Sequence, residues 1–439
     1  MTTDPWGIDA TYEDAAGTLQ TVSEQAIEGI RSAIGRPPEQ AKSLYDERVK
    51  VLQQGRSFTL PSAAELTLED GSVRQVRDRL PDDLPIGYHQ LAPKSGSSSP
   101  LRLIVSPGRC YLPSSLRTWG WSAQLYASRS RQSWGIGDLA DLSRLAQWSK
   151  NLGAGMVLIN PLHAALPLLP QEASPYSPSS RRYLNPLYLR IEDLPGAARL
   201  EQDIQRLAAL GHALNDDRHI DRDRVFRLKQ EAFQLLWTRF DGDSDFDRFR
   251  KAEGSSLRQF AVFCTLSENY GANWRQWPHL YLRPDSPDVE RFAHDHADRV
   301  RFHEWLQWML NQQLARAGRH ISLMQDLPVG FSPDGADAWV WQDLIAADMS
   351  IGAPPDLYSP NGQDWGLPPF IPHKLRAAAY EPFIQTIRAL LRHAGGLRID
   401  HVMGLFRLWW VPKARKSKDG AYVRYQAEEL LAIIEIESQ

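Results

Sequence analysis

Three apolar runs in this chain each lead straight into a cluster of functional side chains. Residues 155–160 run into NPLHAALP, residues 321–327 into DLPVGFSPDGADAW, and residues 397–406 carry RIDHVMG. A fourth apolar segment, residues 119–126, is followed by a loop and a helical stretch at 139–152 before the first of these runs. Strand, loop, helix and strand in that order make a βα unit of a parallel sheet. Near-continuous apolar strands fit a sheet that is buried on both faces. Functional groups gathered at the C-terminal ends of parallel strands are the layout of a (β/α)8 TIM barrel. A doubly wound sheet gathers them there as well. The expected class is therefore α/β.

The rest of the chain has a different grammar. Residues 1–55 read as helical: apolar residues recur at helical spacing from Tyr12 to Ile34, and Gly35, Pro37 and Pro38 form a stop. Residues 56–114 alternate in short runs (SFTL, AELTL, LRLIV) separated by DG, PDDLP and SGSSSP turns, which predicts a small antiparallel domain of β-sandwich type. Residues 115–439 hold the βα units. A helical insertion at about residues 187–320 contains EAFQLLWTRF and VRFHEWLQWMLNQQLARA.

Charge and cysteine content exclude several roles. Lys and Arg total 50 against 53 Asp and Glu, a net charge of −3, so no global basic field exists to gather nucleic acid or an anionic membrane. Two cysteines, Cys110 and Cys264, are too few for a secreted disulfide scaffold. The acidic start MTTDPWGIDATYEDAA lacks the basic and apolar regions of a signal peptide. A cytoplasmic location is the expectation. The longest apolar stretch, residues 156–170, is broken by Asn160, His163 and prolines, so no membrane span is expected.

Three motifs are set aside. GIGDLA formally matches a dinucleotide fingerprint, but SRSRQSW precedes it where an apolar strand is required. In HDHADRVRFHEW, His294 and His296 are two apart and diverge on a helix, and HExxH is absent, so no metal site is assigned. KARKSK, from Lys413 to Lys418, reads as a surface loop.

The segment GGLRIDHVMGLFRLWW places Arg398 two residues before Asp400, on the same face of a strand, with His401 next. A nearby guanidinium favours the ionised form of a carboxylate, which a nucleophile requires. Taken alone, the pair would read as structural. Two Pro-fixed loops accompany it: GAPPDLYSPNGQDWGLPPF presents Asp356, Tyr358, Gln363, Asp364 and Trp365, and SPYSPSSRRYLNP presents Tyr176 and Asn185. Rigid loops bearing amide, carboxylate and aromatic groups suit a polyhydroxylated, uncharged substrate. The 15 tryptophans, many in Gly- and Pro-rich loops, fit flat apolar ligands such as sugar rings and fit interdomain packing equally.

SWGIGDLADL, NPLHA, SPYSPSSRRYLNPLYL, PVGFSPDGADAW, GAPPDLYSPNGQDWGLPP and RIDHVMGLFRLWW, in that order, resemble the 4-α-glucanotransferases of glycoside hydrolase family 77 (amylomaltases or disproportionating enzymes). The resemblance implies retaining transfer of α-1,4-glucan segments between malto-oligosaccharides, with no metal or organic cofactor. It makes Asp400 the nucleophile, Arg398 the group that holds it ionised, and His401 a donor-subsite contact. Tyr176, Asp334, Asp356, Gln363 and Trp365 match positions near the bound glucan, and Asn185 joins them from its loop. Retaining chemistry also needs a second carboxyl as acid and base. In the family it lies in a Glu-Asp-Leu-Gly block, which does not occur here: the sequence ends at AEELLAIIEIESQ. The expectation is the first four βα units of the barrel, inactive alone, with the missing C-terminal half of the barrel as a partner. The alternatives are a non-catalytic glucan-binding fragment and an α-amylase-like hydrolase.

Overall fold

The computed structural model describes residues 3–14, 16–37, 44, 47–94, 100–413 and 415–439. Parts of the expected N-terminal helical region (1, 2, 15, 38–43, 45 and 46), residues 95–99 of the expected SGSSSP turn and Ala414 of the basic run lie outside the described residues. The chain forms two compact units: Met1–Leu116 with Asp343–Ala389 and His401–Gln439, and Arg117–Gln342 with Leu390–Asp400.

The second unit is built on a four-stranded, wholly parallel sheet. Its strands are β1 (Gly120–Ala123), β2 (Met156–Ile159), β3 (Ser322–Leu327) and β4 (Gly396–Ile399), side by side in chain order. The helix Leu139–Asn151 links β1 to β2 and opens on a capping box, with the Asp138 carboxylate accepting from the first-turn amides and Asp141 answering back. Between β2 and β3 lies the long helical stretch: Glu201–Ala213, Arg222–Trp237, Ser244–Tyr270, Pro287–Asp295 and Ala297–Gly318. Its aromatic residues Phe233, Phe302, Trp305 and Trp308 join Leu142, Val157 and Leu323 in one core, which explains why the last helix is apolar around much of its girth.

The first unit contains two further sheets. Five strands between Val49 and Ser106 form a single mixed sheet, ordered Val49–Gln53, Leu101–Ser106, Gly87–Pro93, Ala64–Thr67, Val73–Val76; the first two strands are parallel and the remainder antiparallel. One side chain of its Leu101–Ser106 strand, Ser106, hydrogen-bonds Glu435 of the terminal helix Ala427–Glu437. The second sheet is antiparallel, ordered Gln363–Leu367, Met349–Ala353, Arg407–Pro412, Ala421–Arg424.

Three readings of the sequence differ from the structure. The antiparallel domain of β-sandwich type expected over residues 56–114 is instead one mixed sheet that already begins at Val49, whose strand pairs parallel with Leu101–Ser106. The helical spacing from Tyr12 to Ile34 is realised only over Glu24–Ile34, where Ser23 caps the first turn; Thr11–Glu13 and Leu19–Thr21 pair as strands instead. The apolar run 397–406 is not one strand. It ends at Ile399, His401 takes a left-handed backbone (φ 49°, ψ 58°), and Val402–Leu405 form a 3-10 turn. LWW then belongs to the antiparallel sheet. A reversal at a single residue is invisible to periodicity, since the segments on both sides are apolar.

Candidate functional site

The end of the parallel sheet brings four polar side chains of the second unit together. Parallel pairing of β3 with β4 sets Asp326 opposite Arg398. Arg398 Nη1 lies 2.6 Å from both carboxylate oxygens of Asp326, and Nη2 donates to Asp400 Oδ1 at 2.8 Å. Tyr176, on the Pro-fixed loop, donates its hydroxyl to Asp326 Oδ2 at 2.8 Å. The backbone completes the frame, with the Asp400 N–H donating to the Leu327 carbonyl at 3.0 Å. One guanidinium therefore bridges two carboxylates.

Their environments differ. The Asp326 side chain is 4% exposed, whereas that of Asp400 is 31% exposed. Burial raises the Asp326 carboxyl above its ordinary value, against the lowering effect of the Arg398 and Tyr176 hydrogen bonds, and the Asp400 charge adds to the rise. The hydrogen bond to Asp326, ahead of that to Asp400, raises Arg398 above the usual guanidinium value against the opposing effect of burial. Tyr176 is pushed up to about 12, by burial first and then by the Asp326 hydrogen bond and charge.

A buried brace fixes the Tyr176 loop. Asp337, wholly buried, accepts from the Ser180 hydroxyl and the Arg181 N–H, both at 2.8 Å, and pairs with Arg182. SPYSPSSRRY and PDGADAW, far apart in sequence, are thereby clamped together. Asp334 sits in the same turn and pairs with Arg275 at 3.3 Å. Asn185 is used locally: its side-chain oxygen accepts from the Leu187 N–H at 3.0 Å and caps the 3-10 turn Pro186–Tyr188.

In the first unit, Trp365 meets His401 edge to face, with ring centroids 5.1 Å apart, and donates its indole N–H to Gln363 Oε1 at 3.0 Å. Asp356 closes its own loop by accepting from the Tyr358 N–H at 2.8 Å and the Ser359 N–H at 2.5 Å. Leu357 and Tyr358 at the tip are 82% and 96% exposed.

The geometry thus joins Tyr176 to Arg398 and Asp400, and His401 to Trp365 and Gln363, while Asn185, Asp334 and Asp356 each serve a local turn or pair. Asp326 was missed in the sequence. In MQDLP it is a lone acid at the end of an apolar strand, and its significance comes from a register partner 72 residues later. Among the described residues no group of three His, Cys, Asp or Glu side chains is arranged to hold a metal ion, and no helix is long and apolar enough to cross a membrane.

Comparison with known proteins places the chain in one family. Residues 123–439 match the family model described as 4-alpha-glucanotransferase. The 4-alpha-glucanotransferase of Mycobacterium tuberculosis is 40% identical over 99% of this chain and 69% of its own length. That of Haemophilus influenzae is 35% identical over 98% and 69%. Among solved structures, amylomaltase from Corynebacterium glutamicum superposes with a TM-score of 0.84 at 31% identity, covering 99% of this chain and 69% of that one. Amylomaltase from Streptococcus agalactiae in complex with acarbose, at 18% identity and TM-score 0.63, shares the fold over 73% of this chain and 66% of that one. With the family model matching most of the sequence and relatives matching nearly all of it, the chain belongs to the 4-alpha-glucanotransferase family.

Proposed function

We propose that this chain carries the nucleophile-bearing part of an enzyme that transfers α-1,4-glucan segments between malto-oligosaccharides by retaining double displacement. The carrying observation is the Asp400 carboxylate, part-exposed at the end of β4 and held by Arg398 at 2.8 Å. Asp400 attacks the anomeric carbon as the glycosidic C–O bond breaks, and the 4-hydroxyl of a second glucan then displaces the carboxylate. Arg398 orients the nucleophile. Tyr176 and His401 contact the donor sugar, Trp365 offers an aromatic face and helps exclude water, and Gln363, Asp356, Asp334 and Asn185 shape the glucan path.

On this reading β1–β4 are the first four strands of a (β/α)8 barrel, and a polypeptide beyond residues 1–439 supplies the rest. Retaining chemistry requires a second carboxyl about 5–5.5 Å from the nucleophile. The buried Asp326 is committed to Arg398 and Tyr176. Three glutamates of the terminal helix are engaged elsewhere: Glu429 with Arg376 and Tyr380, Glu435 with Ser106, and Glu437 with Arg388 and Tyr88. The commitment of Asp326 and these three glutamates supports a chain that does not turn over unactivated glucans alone. It equally favours the second reading, a non-catalytic glucan binder.

The test is maltotriose incubated with the chain alone and with the chain extended to the full length of its relatives, products being separated by chromatography. Glucose and longer maltodextrins are expected only from the extended protein, and not from its Asp400→Asn variant. Products that persist in that variant would overturn the assignment. Glucan binding without turnover by the extended protein would leave the binder.

A further inference from the structure

We propose that the cleft between the helices Leu139–Asn151, Glu201–Ala213 and Ala297–Gly318 binds a sugar phosphate, with the side-chain oxygen of Gln132 holding the place of a phosphate oxygen. The cleft lies wholly within the second unit, and its role is independent of Asp400.

Each of the three helices brings one cationic or protonatable side chain to the cleft, Arg144, His212 and Arg316 in turn, around the buried Arg190. The cleft has a volume of about 1230 Å³. The donors of Arg190 are unevenly used. Nε and Nη2 bind Asp138 and Asp141 at 2.6, 3.0 and 3.1 Å. Nη1, with two N–H groups, reaches only the Gln132 side-chain oxygen at 3.5 Å, the limit of a hydrogen bond. Arg144 donates through Nη2 to that same oxygen. Two guanidinium groups thus converge on one neutral amide oxygen, and Gln132 is exposed, so it is free to swing aside. An anionic oxygen there would accept far stronger bonds than the amide does.

Two more groups await an acceptor. The Arg316 guanidinium has no hydrogen bond or ion pair among the described residues. His212 Nε2 is buried without a hydrogen-bond partner, 3.8 Å from Glu192.

Phosphate accounts for the cations, and the rest of the lining accounts for a sugar. Glu192 and Asp193 also line the cleft, and both are exposed. Glu192 accepts from Trp134 Nε1 through Oε1 at 2.9 Å, and its Oε2, 4.0 Å from Arg190 Nε, is left for a ligand hydroxyl. These carboxylates disfavour a bare anion and favour one that carries hydroxyl donors. Among the described residues no Trp, Tyr or Phe lines the cleft, so it lacks the flat apolar face on which a glucan ring stacks.

The test is isothermal titration calorimetry of the chain with glucose 6-phosphate, inorganic phosphate and glucose. Glucose 6-phosphate should bind one to one, inorganic phosphate about tenfold more weakly for want of the hydroxyl bonds, and glucose more weakly still. Arg144 and Arg316 are exposed, and neither pairs with a buried carboxylate. Arg144→Gln and Arg316→Gln should each weaken glucose 6-phosphate about tenfold, with far-UV circular dichroism unchanged. Gln132→Ala removes the oxygen that phosphate displaces and should tighten binding. Asp400→Asn should leave it unaltered, which separates the cleft from the glucan path. Equal affinity for inorganic phosphate and glucose 6-phosphate would overturn the sugar-phosphate assignment. Absence of phosphate binding, or binding that survives Arg144→Gln with Arg316→Gln, would overturn the site itself.

Discussion

A single guanidinium serving two carboxylates makes Arg398 harder to replace than its 40% side-chain exposure suggests. Lysine keeps the charge but offers one compact ammonium in place of a planar fork, so it cannot hold Asp326 and Asp400 at fixed separation. Arg398→Lys is therefore expected to lower glucosyl transfer about a hundredfold while leaving the melting temperature within a few degrees, as read by fluoride release from α-maltosyl fluoride beside a thermal scan. Arg190 is the structural counterpart. It lies 4% exposed, 2.6 Å from Asp138 and 3.1 Å from Asp141. Arg190→Ala strands two buried carboxylates and should destabilise the chain by about 3–5 kcal/mol in urea unfolding.

Helices and strands are positioned by contacts of the same kind. The helices Ser244–Tyr270 and Ala297–Gly318 are joined by Glu268, which binds Arg299 and His303. Burial pushes the Glu268 carboxyl up, but the hydrogen bonds from Arg299 and His303 outweigh it and bring it down to about 2. A carboxyl depressed in the folded state stabilises above its unfolded pKa and loses that contribution as pH falls through the folded one. About 3 kcal/mol should therefore disappear between about pH 4.5 and pH 2. Acid unfolding of Glu268→Gln should show a correspondingly shallower loss of stability over that window. At the turn that carries Asp334, a Cβ on Gly335 would lie 2.4 Å from the Ser179 carbonyl oxygen. Gly335→Ala should cost about 1–3 kcal/mol by forcing the two clamped segments apart, measurable as a lowered denaturation midpoint.

At this scale much of the second unit was legible in the sequence. Residues 155–160, 321–327 and 139–152 coincide within a residue or two with β2, β3 and the helix Leu139–Asn151, because long apolar or periodic runs leave few alternatives. The break at His401 was not legible, nor was the hairpin of Met349–Ala353 with Gln363–Leu367, whose Pro- and Gly-rich connection reads as loop throughout. Arg398, Asp400 and Tyr176 emerged from motif and resemblance. Asp326 required the strand register, a long-range property that single-sequence patterns do not encode.

In the molecule as a whole, the wholly parallel sheet of the second unit ends at β1 and β4, and among the described residues each pairs with a strand on one side only. Parallel sheets are ordinarily covered on both faces, and open edges invite further pairing. Beside β1, Trp121 stacks on Trp148 with ring centroids 5.6 Å apart, and Trp119 meets Trp121 edge to face; all three are more than 40% exposed. The chain spans 69% of the length of its curated mycobacterial and Haemophilus relatives. These exposed edges and rings predict concentration-dependent self-association of the chain by itself. In sedimentation velocity, Trp121→Ser with Trp148→Ser should reduce it without changing the far-UV circular dichroism.

The most direct measurement is the intact mass of the chain after incubation with α-maltosyl fluoride, followed by peptide mapping. A nucleophilic Asp400 predicts one added maltosyl group on the peptide containing RIDH, one equivalent of fluoride released, and neither in Asp400→Asn. An unmodified chain, or a maltosyl group on any other side chain, would contradict it.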